Sequence, residues 1–431
     1  MKHNSRAYSS FVTVIAFLGW SISAMDASLF FFVAPEIMDE FDFSLSDFGI
    51  IVAGGFLIAI LFNLIVGPLM DYLGRKIVFQ WILLLMTIGT FLTGLSWNFE
   101  SLSLFRILAT GSAFAEYAVG ATILIESVSA KNRGWIVGFM AAGWPAGTAV
   151  SILLSLYIVP SLGWRSAFFI AAIPAFLIII IRMYIKEPGR SMDLFKFRQT
   201  TKTLGTDSRQ YEIIPTDFKI NKEEAIKFTY LQLTKGELLK NTIFIWIYMN
   251  FVVIAYGLLI WFAPYWMSHA YQLSWYEATW AVGAGSLISI LGFICCGWLS
   301  GIIGIRYVNT LFIILSIPLT VWMTFYAETY STFLPAYLLW SFFGAGIWGV
   351  IPRIFTEAFP TRARGTGSSI NSASCWLGWG VVSYFAPRII EVNGYNSAIA
   401  IAGIILLPLA LIPLWIMREI PTSRELEDYI S

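Results

Sequence analysis

Four ionisable side chains stand well inside long apolar stretches of the chain: Asp26, Arg106, Glu116 and Arg353. A charge at the centre of a membrane-spanning helix costs on the order of 2.5 to 3.5 kcal/mol by insertion scales, so a chain keeps one only beside a partner or for a purpose. The chemistry such a set can do is proton loading and anion pairing. Burial disfavours a bare carboxylate and a neighbouring guanidinium favours it, so an acid held between these influences can load and release a proton as its surroundings change. The only histidines are His3 and His269, and neither sits among Cys, Asp or Glu at ligand spacing, so no metal or other cofactor is expected. Cys295, Cys296 and Cys375 lie inside apolar segments and read as buried free thiols.

The elements that must position these charges are helices. Of 431 residues, 58% are hydrophobic and 12% charged, roughly half the charged share of a soluble domain. Apolar runs of about 20 residues or more, parted by short polar turns, identify an all-α polytopic membrane protein. Twelve transmembrane helices are expected, from Phe11–Pro35 through Asn396–Met417. The first run follows Lys2 and Arg6 but is about 25 residues long and has no small-residue cleavage site, so it reads as a retained span. Residues 1–185 are expected to form an N-terminal six-helix bundle and 186–240 a central loop. Residues 241–431 are expected to form a C-terminal six-helix bundle with a short tail.

Loop charges orient the chain. The loop after the first span carries Glu36, Asp39, Glu40, Asp42 and Asp47 without Lys or Arg, whereas the turns holding Arg75 and Lys76, Lys131 and Arg133, Arg306, and Arg362 and Arg364 are basic. By the positive-inside preference both termini and the basic central loop are cytoplasmic, with Arg165 and Arg388 as exceptions on the outer side. A net charge of +1 suggests no nucleic-acid partner. Within the central loop, Ala225–Leu239 could form a short amphipathic helix through Ile226, Tyr230, Leu233 and Leu238; a solvated linker is the alternative.

An internal repeat relates the halves. Gly67 and Gly297 stand 230 residues apart, as do Gly74 and Gly304, and Glu126-x6-Arg133-Gly134 returns as Glu357-x6-Arg364-Gly365. Two six-helix halves related in this way imply a binding site near the midplane between them. The turn Gly67-Pro68-Leu69-Met70-Asp71-Tyr72-Leu73-Gly74-Arg75-Lys76 resembles the loop signature of the major facilitator superfamily, with Tyr72 where a basic residue is usual.

Within that superfamily the chain resembles the sialate, lactate and aromatic-acid proton symporters. The resemblance rests on Gly19-Trp20 with Ala24-Met25-Asp26, on Arg106 to Gly111 followed by Ala115-Glu116-Tyr117 and Glu126, and on Gly163-Trp164-Arg165 with Phe168-Phe169. Thr356-Glu357 through Thr361 and Arg364 through Gly367 match in the second half. Such symporters often carry two aspartates in the first helix, where this chain has Ser23 and Asp26.

The resemblance implies alternating access and a cavity lined by the first and fourth helices. Asp26 and Arg106 differ in depth by only about 6 Å, so on that arrangement they can pair, while Glu116 lies about 15 Å beyond Arg106. Asp26 and Glu116 are the proton-coupling candidates and Arg106 the candidate for a substrate carboxylate. A permanent Asp26–Arg106 salt bridge, a structural hydrogen bond at Glu116 and an anchoring role for Arg353 are the alternatives. Tyr256, Asn250, Trp144, Trp348, Asn371, Trp261 and Trp376 are candidate cavity contacts. Gly67, Asp71, Gly74, Arg75, Lys76, Glu126, Arg133, Glu357 and Arg364 form a candidate cytoplasmic gate, asymmetric because Ser300 and Gly301 replace the acid in the second half.

The reading that follows is a plasma-membrane secondary transporter, expected to act as a monomer, that moves a small organic anion (monocarboxylate, sialate or aromatic acid) together with protons. A proton-coupled carrier of a sugar or other neutral metabolite and a non-transporting membrane receptor remain alternatives. No His, Cys or paired-carboxylate cluster supports an enzyme.

Overall fold

The computed structural model describes residues 6–204, 222–261 and 263–418. Among these, twelve helical spans follow in order. The first four are unbroken: Arg6–Phe32, Leu45–Leu73, Arg75–Gly94 and Phe99–Ser127. Span 5 is built from Arg133–Ala141, Gly143–Leu153 and a π turn at Leu154–Ile158. It runs on into Val159–Arg182, where Gly163, at φ 76° and ψ 163°, breaks the helix and starts span 6.

The second half repeats the plan. Span 7 is Gly236–Tyr256, a π turn at Gly257–Trp261 and Ala263–Tyr271; spans 8 and 9 are Trp275–Ile303 and Ile305–Phe325. Span 10 passes from Tyr330–Phe343 through a 3-10 turn to Ile351–Glu357. Spans 11 and 12 divide Arg364–Ala400 at Gly394 (φ 77°, ψ 168°) and end with Leu407–Ile416.

Length and hydropathy alone find ten candidate spans. One of these, Ala130–Phe176, is 47 residues long and contains the Gly163 break, so it is two helices. Span 11 escapes because Ser368, Ser369, Asn371, Ser372 and Ser374 make it polar, and all five are buried among other helices rather than facing lipid.

The repeat reaches into the helix caps. Ser44 with Asp47 starts span 2 with a reciprocal capping box, and Ser274 with Glu277 does the same for span 8. Asn98 with Ser101 caps span 4, and Thr329 with Thr332 caps span 10. The turns between spans 2 and 3 and between spans 8 and 9 pass through Gly74 at φ 101° and Gly304 at φ 95°. Only glycine tolerates that backbone without strain, which explains the matched glycines in the sequence.

On the face that carries the Gly67–Lys76 turn, span 2 packs on span 11 and span 5 on span 8, two pseudo-equivalent contacts between the halves. A Cβ at Gly138 would lie 2.7 Å from Phe293 O and 2.8 Å from Gly297 Cα, so bare glycine backbone is what lets spans 5 and 8 meet. Gly67 lies equally tightly against Thr366 and Ser369 of span 11.

The described parts of the central loop, 186–204 and 222–240, lie beneath this face. Gly189–Leu204 is a helix, and the stretch expected as one amphipathic helix is instead Lys222–Ala225, Thr229–Leu233 and the start of span 7. Phe228, in the β/PPII region with ψ 133°, and Lys235, extended with ψ 153°, break it where Tyr72 and span 2 are met.

Candidate functional site

Asp26 and Arg106 meet. Arg106 Nη1 lies 2.9 Å from Asp26 Oδ1, and both side chains are 1% exposed. Thr90 of span 3 donates to the same oxygen at 2.8 Å. The guanidinium is sandwiched by aromatic rings, with its carbon 4.6 Å from the Phe30 centroid and 5.4 Å from that of Phe168, and Nη2 reaches Thr110 Oγ1 at 3.4 Å. Asp26 Oδ2 is buried and has no hydrogen-bond partner among the described residues. One oxygen of the carboxylate therefore takes both contacts and the other takes none among the described residues.

Glu116, ten residues further along span 4, takes a different neighbour. Its Oε2 accepts a hydrogen bond from Ser23 Oγ of span 1, and the side chain is buried. Spans 1 and 4 thus share the side-chain pairs Asp26 with Arg106 and Ser23 with Glu116. The serine that stands where related symporters often carry an acid is the group that holds Glu116.

Two cavities adjoin at Trp144 and Tyr256. The deeper is lined by Trp20, Tyr117, Ala141, Phe293, Trp348, Trp376 and Trp379 with those two. The other, the larger of the two, lies toward the face opposite the Gly67–Lys76 turn, against Ser28, Phe32, Thr148, Pro264 and Ser286. Trp144, Tyr256, Trp348 and Trp376 thus stand at a cavity. Arg106, Asn250 and Asn371 line neither, Asn250 and Asn371 being tied to carbonyls of their own helices at Trp246 and Gly367. The side chain of Trp261 lies outside the described residues, as does that of Arg388.

The nine gate candidates fall on one face, and six of them are ion-paired there, Asp71, Arg75, Glu126 and Arg364 in one group and Arg133 with Glu357 in another. Glu126 Oε1 binds Arg364 Nη1 at 2.7 Å, while Arg133 Nη1 lies 3.7 Å from Glu357 Oε2. Each glutamate of the repeat therefore pairs with the arginine of the other half. Arg75 lies 3.4 Å from Glu126 and 3.3 Å from Asp71, and donates across the interface to Thr361 O at 3.1 Å. Asp71 accepts from Gly365 N at 3.0 Å and from Thr366 N and Oγ1 at 2.9 and 2.8 Å, capping span 11 from the opposite half. A carboxylate at a helix N-terminus gains from the aligned peptide dipoles as well as from these donors.

Ser300, in the region matching Asp71, stays within its own half, donating to Gly297 O and accepting from Arg353. Arg353 in turn grips Glu357 with Nε at 2.6 Å. Lys76 stands at the rim, donating Nζ to Met183 O, and its backbone N–H, like that of Arg75, is held by the Glu187 carboxylate.

The sequence profile of the Major Facilitator Superfamily matches residues 11–347. The chain belongs to the major facilitator superfamily. It is 24% identical to the niacin transporter NiaP of Acinetobacter baylyi over 420 residues, 95% of this chain and 94% of that one. It is 27% identical to a putative niacin/nicotinamide transporter NiaP of Bacillus subtilis, with 96% of each covered. The fold matches the proton:xylose symporter XylE with a TM-score of 0.77 at 16% identity, over 98% of both chains. As a member of this superfamily the chain is a multi-pass membrane transporter and not an enzyme.

Three features of this superfamily member escaped the sequence reading. Arg198 of the central loop donates to Asp71 O at 2.6 Å in the first half, to Arg362 O at 2.9 Å in the second and to Ala225 O at 2.9 Å, with its guanidinium carbon 4.7 Å from the Tyr72 centroid. The cation usual at position 72 is thereby supplied from 126 residues downstream. Thr90 gave no signal, since hydroxyls in apolar helices mostly bond their own backbone. On the opposite face, Arg165 is not an unpaired exception to charge placement. Glu40 holds it, together with Ser96 O at 2.8 Å. Burial pushes the Glu40 carboxyl up, but hydrogen bonds from Arg165 and Trp164 and the Arg165 charge outweigh it and hold it below the usual glutamate value.

Proposed function

We propose that the protein is a proton-coupled symporter of small organic anions, with aromatic monocarboxylates of the niacin kind as the first substrates to test. The single observation that carries this reading is the buried Asp26–Arg106 pair, in which one carboxylate oxygen is bound twice and the other has no hydrogen-bond partner among the described residues. A buried carboxyl beside a fixed cation inside a membrane-spanning helix is the kind of group that couples proton and substrate movement. Glu116, bonded to Ser23, is the second candidate carrier of the proton. Arg106 serves as the cation that resets Asp26 after each proton is released.

The network of Asp71, Arg75, Glu126, Arg133, Glu357 and Arg364 acts as the gate on the face that we assign to the cytoplasm, with Gly67, Gly74 and Lys76 shaping its turn. Both termini and the central loop then lie on that side of the plasma membrane. The conformation is closed inward, and the larger cavity lies on the route from outside. Residues 1–185 and 241–431 move as the two rocking bundles and 186–240 as their link, within a monomer. The likeness to a niacin transporter and to a putative niacin/nicotinamide transporter supports the substrate class.

The absence of a cation from the cavity walls favours a second reading, a neutral aromatic metabolite such as the corresponding amide. Uptake of labelled nicotinate into proteoliposomes under an inward proton gradient, with nicotinamide as competitor, tests both. Gradient-stimulated nicotinate uptake supports the first reading; uptake of the amide alone, indifferent to the gradient, supports the second.

A further inference from the structure

The walls of the deeper cavity carry no Lys, Arg, His, Asp or Glu among the described residues. Its surface is made by indoles, phenols and one phenyl ring, and two of these side chains hold donors that have no partner there. The Tyr117 hydroxyl and the Trp348 indole N–H are both buried and unsatisfied. A buried donor without an acceptor carries a desolvation penalty that only an incoming acceptor can relieve. Tyr117 belongs to span 4 and Trp348 to span 10, so the two come from opposite halves of the molecule.

Arg106 offers the contrast. Its Nη1 is bound to Asp26, Nη2 to Thr110, and the rings of Phe30 and Phe168 cover its faces. It lines neither cavity.

We propose that the ligand carboxylate is received by the Tyr117 hydroxyl and the Trp348 indole N–H rather than by Arg106. This rests on the reading of the chain as an organic-anion carrier and deepens it. A flat aromatic acid satisfies both features of the cavity, its ring lying among Trp20, Trp144 and Tyr256 and its carboxylate accepting the two donors. Neutral donors hold an anion without cancelling its charge. The charge must therefore be offset by a proton taken up nearby, and Asp26 Oδ2 and Glu116 are the available acceptors in this half. Coupling then follows from what the cavity lacks. A carboxylate held from both halves also draws the bundles together, which is what closing the outer route requires.

The test is equilibrium binding of labelled nicotinate to the purified full-length protein in detergent, each variant first matched to wild type by monodisperse elution. Tyr117→Phe removes one oxygen and leaves the ring. It and Trp348→Phe are each expected to weaken nicotinate binding about 10-fold or more, the loss of a hydrogen bond to a charged group, while competition by 3-methylpyridine, which has the ring without the acid, is unchanged. Full affinity in the Tyr117 and Trp348 variants overturns the proposal alone. No saturable carboxylate binding by the wild type overturns both it and the organic-anion reading.

Discussion

Asp26 is the residue on which the energetics turn. Its pairing with Arg106 at 1% exposure places two charges where neither is tolerated alone, and removing one partner of such a pair typically costs about 3 to 5 kcal/mol. Arg106→Ala is therefore expected to lower thermal stability in detergent markedly, whereas Asp26→Asn with Arg106→Gln restores much of it; equal losses in the two would mean that the pair contributes packing and not charge. Glu116→Gln keeps a hydrogen-bond acceptor for Ser23, so it is expected to fold normally and to lower gradient-driven uptake less than Asp26→Asn does. A larger loss at Glu116 would move the coupling role there. These charges were legible in the sequence because an ionisable group in an apolar run has few explanations. Their bond pattern was not, since which oxygen Thr90 takes depends on the approach of spans 1 and 3.

At the scale of elements, the proposed gate is a set of helix ends joined by charges exchanged between halves. Arg198 is the least expected member. It belongs to a loop helix, yet it bonds carbonyls on both sides of the interface. Arg198→Ala removes three hydrogen bonds and leaves the buried ion pairs in place, so we expect looser packing of the halves and faster thiol labelling of the buried Cys375. Unchanged labelling would mean the loop helix rides on the gate without bracing it. The exchange Glu126→Arg with Arg364→Glu should recover more transport than either single change, if their 2.7 Å contact is the one that matters. The sequence showed that Glu126-x6-Arg133 returns as Glu357-x6-Arg364, but a repeat says which residues correspond and not which ones touch. The crossed pairing required the docking of the halves. Arg198 is one of eleven Lys and Arg residues between 186 and 240, and nothing in its spacing distinguishes it.

For the whole molecule, the capping boxes and the four positive-φ glycines at matched positions give both halves one architecture, while the buried charges near the cavities are confined to the first half. Span 11 is the clearest case in which pattern alone is insufficient, because its serines and its Asn371 lower hydropathy below that of a spanning helix although they are buried by protein. The opposite face has its own tie, Glu40 to Arg165. Because the Glu40 carboxyl sits below its ordinary value in the folded state, its contribution is fully present above the unfolded value of about 4.3 and is lost as pH falls through the lower folded value. Melting of wild type and Glu40→Gln should differ at pH 7 and converge at the most acidic pH the detergent sample tolerates. A gap that widens on acidification would reverse the sign of the argument.

The most direct test of the central claim is nicotinate uptake into proteoliposomes with and without an inward proton gradient, for wild type and Asp26→Asn. We expect the gradient to drive accumulation in wild type, and the variant to lose that accumulation while still exchanging labelled for unlabelled substrate. Accumulation that persists in Asp26→Asn would contradict the assignment of the coupling proton to this carboxylate.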